Sequence, residues 1–309
     1  MTALGEEVIE AVPEIVAKVR RVPDRARQFE VSATAAVSEF RIVPALLEQL
    51  RRFGLPSRRV GGDELFDRYD LLNVALNLDI GSAQRKVLSW WARELDRPYG
   101  DFHTYELEYI ASCPDPRHPG TCDYRVLRPD RPRLSATRSA PDPSTLHRES
   151  FTLPRIWPDL PPAVQELIEG FSRLSYLRLP HPLCWDVEFI LASGIGDCAG
   201  MSRILVDEGR KRGLAARFSF GKSLTPPFAS THYWAEFMVD GIWVPVDPLL
   251  NGAMIGWGLL NASRWTVFSS LGGIMARLAR GERDLVLHAD ARHGSRPVPV
   301  HLRATHLTG

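Results

Sequence analysis

The spacing of apolar residues along the first third of the chain predicts helices. In Glu6–Arg20 the apolar side chains recur every three or four positions, and Ala33–Phe53 repeats that pattern with a break near its middle. A third stretch, Tyr69–Leu95, predicts the strongest helix of this part of the chain, with an interruption at Gly81. We therefore expect residues 1–111 to form a mainly helical N-terminal region.

The apolar periodicity disappears over residues 112–155, where Pro, Arg, Asp and Ser dominate. This composition is typical of a long loop or a linker, so we predict a boundary there between two domains. Cys113 and Cys122 lie in this stretch at a C-x8-C spacing, with His118 between them. Zinc sites more often use C-x2-4-C and a second pair of ligands, and no second pair is obvious in the sequence. The sequence therefore predicts no metal site and no cofactor, and His288, His293, His301 and His306 receive no ligand role.

Residues 156–309 read as helices followed by strands. Pro161–Leu174 has a helical pattern, and a glycine-rich turn leads into a second helix that ends near Gly213. Three runs typical of strands follow: Ala215–Phe220, Thr231–Val239 and Ile242–Val246. Asp240-Gly241 between the last two predicts a two-residue hairpin turn. Helices followed by antiparallel strands indicate an α+β fold rather than the repeated β-α-β of a dinucleotide-binding fold.

Cys198 is the cysteine best placed for chemistry. It stands at the predicted N-terminus of a helix, directly after the glycine-rich turn. The positive end of the helix dipole favours a thiolate there, and the thiolate is the nucleophilic form of cysteine. Cys184 lies between Leu183 and Trp185 and reads instead as a buried apolar residue.

A nucleophilic cysteine needs a base, and the base needs an orienting partner. If Asp240-Gly241 forms a strict two-residue turn, Met238 pairs with Trp243 and Trp234 pairs with Asp247. Alternation along the strand then places His232, Trp234 and Glu236 on one face, with Asp247 diagonal to His232. That register permits a hydrogen bond between imidazole and carboxylate. Taken singly, each residue also has a structural explanation, as a buried thiol, a core histidine or a turn aspartate.

Taken together, these segments resemble a known family. The runs GIGDCAGMSRILVDEGRKRGLAARF, THYWAEF and IWVPVDP are similar to the transglutaminase-like core of the papain-type cysteine enzymes. In that family a G-x-C turn opens a helix, and G-x-x-A-R, H-x-W-x-E and W-x-x-V-D-P segments follow in order. The matching positions here are Gly196 and Cys198; Gly213, Ala216 and Arg217; His232, Trp234 and Glu236; and Trp243, Val246, Asp247 and Pro248. The resemblance covers roughly residues 160–250.

The resemblance implies a papain/transglutaminase-like catalytic domain over residues 156–309. It assigns Cys198 as the nucleophile, His232 as its base and Asp247 as the group that orients the imidazole. The backbone N–H of Cys198 would form part of an oxyanion hole, with Trp185 or Tyr176 as the second donor. Cleft-lining or supporting roles fall to Gly196, Trp234, Glu236 and Trp243, and Glu236 has the alternative of a solvated strand position.

The predicted reaction passes through a thioester between the acyl group and Cys198. An amine acceptor gives a new amide bond, whereas water gives hydrolysis. Known members include cross-linkers, proteases, amidases and bacterial enzymes that form amides in natural-product assembly. We expect an acyltransferase that forms an amide on a small or carrier-bound substrate. A cysteine hydrolase with the same triad and a catalytically silent binding protein of the same fold are the alternatives.

Composition narrows the partners. The 38 basic and 37 acidic residues leave a formal net charge of +1, which disfavours a nucleic-acid partner. The N-terminal run MTALGEEVIEAV has no basic start followed by an apolar segment, and no stretch reaches the roughly 18 apolar residues of a membrane helix. We therefore expect a cytoplasmic protein without a membrane partner, in which the four cysteines are reduced.

Overall fold

The computed structural model describes residues 6–98, 100–115, 117–118, 120–127, 132–140, 142–290 and 294–307. In those ranges the helices are α1 (Glu6–Val19), α2 (Ala33–Phe40), α3 (Pro44–Arg52), α4 (Arg68–Asn77), α5 (Ala83–Leu95), α6 (Pro162–Glu169), α7 (Val187–Ser193), α8 (Cys198–Lys211) and α9 (Pro248–Gly256). The strands in the first 155 residues are β1 (Phe29–Ser32), β2 (Ser57–Val60), β3 (Asp63–Asp67), β4 (Phe102–Ala111), β5 (Thr121–Val126), β6 (Leu134–Ser139) and β7 (Ser144–Pro154). The later strands are β8 (Ser175–Tyr176), β9 (Ile195–Gly196), β10 (Ala216–Thr225), β11 (Phe228–Val239), β12 (Ile242–Val246), β13 (Met275–Ala279), β14 (Val286–Asp290), β15 (Gly294–Pro297) and β16 (His301–His306). The predicted α+β class is confirmed.

The chain divides into two compact units, and each is assembled from separate stretches of sequence. Unit 1 comprises the described residues up to Ala92, together with Pro162–Glu208 and Asp247–Ser269. Unit 2 comprises Arg93–Pro161, Gly209–Val246 and the described residues from Ser270 onward. The predicted regions 1–111, 112–155 and 156–309 are continuous, so neither unit coincides with one of them.

Unit 1 is mainly helical, as the apolar spacing predicts for the N-terminal part of the chain. Local signals set the helix ends: Ser32 caps α2 by accepting from the Ala35 N–H, and Asp67 caps α4 by accepting from Tyr69 and Asp70. The interruption predicted at Gly81 separates α4 from α5, and this glycine has a φ of 69° that suits a residue without a Cβ.

Unit 2 contains two antiparallel sheets. The larger has the strand order β13-β10-β11-β16-β4-β7, with β12 also paired to β11, and the smaller has the order β15-β14-β5-β6. Buried residues of both sheets share one apolar core, whose largest fully buried members include Tyr105, Tyr109 and Tyr124.

The prediction of a loop or linker over residues 112–155 is wrong. Three strands, β5, β6 and β7, lie within it. In β5 exposed and buried residues alternate strictly, and β6 has no buried residue. The alternation in β5 is itself a strand pattern, but it is short and the surrounding Pro, Arg, Asp and Ser favour a loop.

The hairpin predicted at Asp240-Gly241 is present. Both residues have positive φ, 49° and 82°, as a two-residue turn of the I′ type requires. Met238 pairs with Trp243 in the predicted register, and the ladder ends at Ala235 and Val246. Asp247 follows that last pair.

Among the described residues, no helix combines the length and apolarity needed to cross a membrane.

Residues 221–230 form the end of β10, a turn at Pro226-Pro227 and the start of β11. Lys222 pairs with Thr231 and is only 5% exposed, and its Nζ donates to Thr231 Oγ1 at 2.5 Å. Burial lowers the pKa of the Lys222 ammonium to about 8. Between pH 8 and the usual value of 10.5, the unfolded chain therefore binds more protons at this residue than the folded chain.

We expect the stability of the protein to contain a term from Lys222 that rises with pH across this window. In urea unfolding, the wild type should gain on the order of 2 kcal/mol of unfolding free energy from Lys222 between about pH 7.5 and about pH 9.5. Lys222→Met should lack this gain. Lys86→Met, at an exposed position of α5, is the control and should leave the pH dependence as in the wild type. If the unfolding free energy depends on pH equally in Lys222→Met and Lys86→Met, the lowered pKa of Lys222 is contradicted.

Gly221 lies on β10, which pairs with β11 on one side and β13 on the other in unit 2. A Cβ added there would stand 2.1 Å from the Ala276 carbonyl oxygen and 2.6 Å from the ring of Trp234. The first contact is to backbone, so it cannot be relieved by rotating a side chain.

Gly221→Ala should therefore lower the free energy of unfolding by about 1–3 kcal/mol because it overpacks the sheet. Gly256→Ala is the matched control, since a Cβ at Gly256 in α9 meets nothing within 4 Å. Chemical denaturation of both variants tests this. If Gly221→Ala is as stable as Gly256→Ala, the close approach of the Ala276 backbone does not exclude a Cβ at position 221.

Candidate active site

Cys198 is the first residue of α8 in unit 1, as predicted, and its side chain is partly exposed. Asp197 precedes it and is 8% exposed. One oxygen of the Asp197 carboxylate accepts from the Ala199 N–H at 3.1 Å and the Gly200 N–H at 3.4 Å. The other accepts from the Leu179 N–H at 3.3 Å. Asp197 therefore caps the helix and also fixes a second chain segment beside it.

That second segment is residues 175–179. The short strand β8 runs parallel to β9, which leads into Cys198, and the Leu177 N–H donates to the Gly196 carbonyl at 2.8 Å. The segment carries Tyr176, one of the two predicted oxyanion donors, and Arg178, which the sequence analysis did not single out. Both side chains interact electrostatically with Cys198.

The local electrostatics combine burial with a small set of charges. Burial raises the pKa of the Tyr176 hydroxyl well above its usual value, and the negative forms of Cys198 and Asp197 reinforce the shift. Burial likewise raises the pKa of the Asp197 carboxyl to about 6, against its backbone hydrogen bonds and the nearby Arg178. The Tyr176 hydroxyl, which like that of any tyrosine is protonated at neutral pH, can donate a hydrogen bond.

Arg178 supplies positive charge on this side of unit 1. Burial alone would lower the pKa of its guanidinium, but the negative forms of neighbouring groups, including Cys198 and Asp197, raise it. The reciprocal effect is that the guanidinium favours the thiolate form of Cys198. Asn73 of α4 holds the Arg178 backbone: its side-chain amide donates to the Arg178 carbonyl at 2.9 Å and accepts from the Arg178 N–H at 2.8 Å.

Asp247 also lies in unit 1 and is 2% exposed. Its Oδ1 accepts from the Leu250 N–H at 3.1 Å, so the carboxylate caps α9, with Pro248 as the first helical residue. The turn role that the sequence allows for Asp247 is therefore real, as a helix cap. Asp247 is one of the charges that raise the pKa of Tyr176.

His232 lies in unit 2, on β11, and is 4% exposed. Its ring stacks on Trp234 with the centroids 6.1 Å apart and the planes 17° from parallel. The Trp234 indole N–H donates to Glu236 Oε1 at 2.9 Å. The predicted shared face of these three residues is thus occupied by one connected set of side chains.

Glu236 completes this arrangement in unit 2, and its alternative as a solvated strand residue is wrong because only 3% of it is exposed. Arg217 of β10 donates to its Oε2, and the Arg217 guanidinium lies 4.2 Å from the ring centre of Trp243. A buried carboxylate needs such a partner. The side chains at four of the matching motif positions are therefore connected to one another along β10, β11 and β12: Arg217, Trp234, Glu236 and Trp243.

Three other residues considered in the sequence lie in unit 1: Cys184, Trp185 and Gly196. Cys184 is 8% exposed, as expected of an apolar core residue. Its carbonyl oxygen is 2.9 Å from where a Cβ on Gly200 would stand, so the turn bearing Trp185 packs tightly on the start of α8. The Trp185 indole N–H donates to His181 Nε2 at 3.0 Å. A Cβ on Gly196 would approach Ile190 to 3.0 Å, which explains the small residue there.

Unit 1 contains a cavity of about 550 Å³. Tyr176 lines it together with Met201 of α8 and Leu249 and Trp257 from the chain after Asp247. The helical N-terminal region contributes Lys18, and Cys198 and Asp247 are not among the lining residues.

One cluster lies apart from these motifs. The structure brings together Cys113, His118, Cys122 and His288 in unit 2. His288 received no ligand role from the sequence, and the structure places it beside the two cysteines and His118. His293, which was also given no role, is outside the described residues.

Comparisons with known proteins find the same core. Residues 163–248 match the family model of the transglutaminase-like superfamily. A solved structure described as a putative cysteine protease from Cytophaga hutchinsonii is similar at 10% sequence identity and a TM-score of 0.29, over 67% of this chain and 89% of that chain. At that score the structural similarity adds nothing to the assignment, which depends on the family match. No curated protein matches the sequence.

We expect Arg178 to set the pH at which Cys198 becomes reactive. In Arg178→Met the alkylation of Cys198 by iodoacetamide at neutral pH should slow about tenfold, equivalent to one pKa unit. Arg178→Lys should retain most of the wild-type rate because it keeps a positive charge. Peptide-resolved mass spectrometry over a range of pH gives the rate at Cys198 separately from that at Cys184.

Arg203→Met, which removes an exposed arginine of α8 paired with Asp207, is the matched control and should leave the profile unchanged. A wild-type Cys198 that reacts no faster than buried Cys184 would contradict an activated thiol. If the pH dependence of Cys198 alkylation is unchanged in Arg178→Met, Arg178 does not promote the thiolate of Cys198.

Proposed function

We propose that this chain, whose residues 163–248 form a transglutaminase-like core, is a cysteine acyltransferase that forms an amide bond on a small or carrier-bound substrate. The observation that carries the proposal is the ordered set of motif positions in that core, with Cys198 at the start of a helix. The family match supports a cysteine-dependent enzyme, and the choice of acceptor is our inference.

The roles follow from the motif positions. Cys198 Sγ attacks the acyl carbonyl carbon, and His232 takes the thiol proton and passes it to the leaving group as that bond breaks. This leaves an acyl thioester on Cys198. An amine then attacks the thioester, His232 accepts the amine proton, and the Cys198 thiol is regenerated as the amide leaves. Asp247 holds the imidazole of His232 in the tautomer that the reaction needs.

Tyr176 is the better of the two proposed oxyanion donors. Its hydroxyl can donate a hydrogen bond, and Tyr176 interacts electrostatically with Cys198. The Trp185 indole N–H is already donated to His181. We assign the second oxyanion hydrogen bond to the Tyr176 hydroxyl, beside that of the Cys198 backbone N–H.

The cavity in unit 1 favours a small substrate group over a protein chain. Its volume of about 550 Å³ falls within the range of small-molecule sites. Tyr176 lines it and also interacts with Cys198, so the cavity can hold part of the acyl donor or of the amine. A carrier protein would present the acyl donor from outside the cavity. Location in the cytoplasm is part of the same proposal.

Hydrolysis by the same triad is the second candidate because water can replace the amine at the thioester. A catalytically silent protein of the same fold is the third. The three are separated by what happens to an acyl group in the presence of this protein.

The deciding experiment offers the purified protein a panel of small acyl thioesters, with and without primary amines, and follows intact protein mass and product mass. We expect an acyl adduct on the wild type, none on Cys198→Ala, and an amide product when the amine is added. His232→Asn should slow adduct formation by about 10²-fold or more because the general base is lost. His301→Asn, at an exposed residue of β16, is the matched control and should react as the wild type does.

Release of the acyl group only to water in the presence of every amine would replace the acyltransferase by the hydrolase. If no acyl adduct forms and Cys198 also reacts slowly in the alkylation assay, the catalytically silent binding protein is the remaining candidate.

A further inference from the structure

Unit 2 contains a cluster of four potential metal-ligand side chains, none of which belongs to the acyl-transfer motifs. Ligand-type atoms of Cys113, His118, Cys122 and His288 all lie within 4.8 Å of one another. The Cys113 and Cys122 residues are 7% and 1% exposed, and His288 is 1% exposed. Two thiols and two imidazoles at one point are an uncommon content for an otherwise apolar core.

The distances fit a tetrahedral metal ion. Cys113 Sγ is 3.4 Å from His118 Nδ1 and 3.8 Å from His288 Nε2, and His118 Nδ1 is 3.1 Å from Cys122 Sγ. With zinc bonds of about 2.3 Å to sulfur and about 2.0 Å to nitrogen, ligand atoms of a tetrahedral site stand roughly 3.3–3.8 Å apart. The four atoms therefore need only small shifts to surround an ion.

We propose that Cys113, His118, Cys122 and His288 bind one zinc ion that fixes the β4–β5 connection to the smaller sheet of unit 2. Two sulfur and two nitrogen ligands in tetrahedral arrangement select zinc among the common metal ions. All four coordination positions are filled by protein, so the ion is structural and has no open position for a substrate.

The backbone explains how the site is assembled. Cys122 on β5 and His288 on β14 belong to adjacent strands: His288 pairs with Tyr124, two residues beyond Cys122, so the three side chains lie on one face. Cys113 and His118 come from the chain between β4 and β5. Zinc would therefore join a proline-containing connection to two strands that already pair.

Tyr124 packs directly against this cluster. Its ring lies edge-on to His288 with the centroids 5.3 Å apart, which restricts the orientation of the imidazole. Tyr124 is a positioning residue in this proposal.

The binding step needs no oxidant or reductant. Zinc remains divalent, each cysteine loses its thiol proton to solvent, and four metal–ligand bonds replace the ion's bonds to water. Formation of a Cys113–Cys122 disulfide is the competing chemistry, and it would need an oxidant.

The test measures metal in the purified full-length protein, prepared without a histidine tag from zinc-supplemented cells. We expect about one zinc per chain by elemental analysis. Cobalt substitution should give tetrahedral d–d bands and a thiolate-to-cobalt charge-transfer band. Cys113→Ser and His288→Gln should lose the metal, and His301→Gln should bind it as the wild type does.

If Cys113→Ser or His288→Gln fails to fold, two measurements keep the proposal open to refutation. His118→Gln changes the half-buried ligand of the connection and should lower zinc affinity in a folded protein. A mercurial reagent added to the wild type should release zinc to a colorimetric chelator as thiols are titrated.

Three results would overturn the proposal: a wild type without zinc that also gives no cobalt–thiolate band, unchanged zinc content in the folded ligand variants, or an intact mass lower by the two hydrogens of a Cys113–Cys122 disulfide. Cys198→Ala should keep its zinc, so this result stands independently of the acyl-transfer proposal.

Discussion

The carboxylate of Asp197 organises the surroundings of Cys198. It accepts the N–H groups at the start of α8 and, with its other oxygen, the Leu179 N–H of the neighbouring segment. One buried group thus caps the helix that begins at the nucleophile and holds the strand pair that carries Tyr176 and Arg178. The burial that makes this possible also raises the pKa of Asp197 to about 6, so the cap carries an electrostatic cost.

Charge around Tyr176 is consequently balanced rather than simply positive. The negative forms of Cys198, Asp197 and Asp247 disfavour a further negative charge there, whereas Arg178 favours it. In unit 2 the same logic recurs at Glu236, where a buried carboxylate receives Arg217 and the Trp234 indole. In both units the motif residues hold one another in place through paired polar groups, which fixes the reactive side chains more tightly than apolar packing alone would.

Features set by local sequence could be predicted, and features set by distant pairing could not. Turn chemistry at Asp240-Gly241 and the helix start at Cys198 lie within a few residues of their causes, so both are read correctly. The Asn73 contact to Arg178 spans 105 residues, and the approach of Cys113 to His288 spans 175. No spacing rule reaches that far. The strands of residues 112–155 were missed for another reason: their alternating runs are short, and the surrounding Pro, Arg, Asp and Ser favour a loop.

The division of the chain into interleaved units has a consequence for synthesis. The backbone passes between units 1 and 2 at five points, after Ala92, Pro161, Glu208, Val246 and Ser269. During translation, unit 1 cannot close until Ser269 has left the ribosome, and unit 2 still awaits β13, β14, β15 and β16. The nascent chain therefore carries incomplete apolar surfaces for most of its synthesis, which exposes it to aggregation and to chaperone capture. For the same reason, no single cut in the gene would yield either unit as an intact fragment.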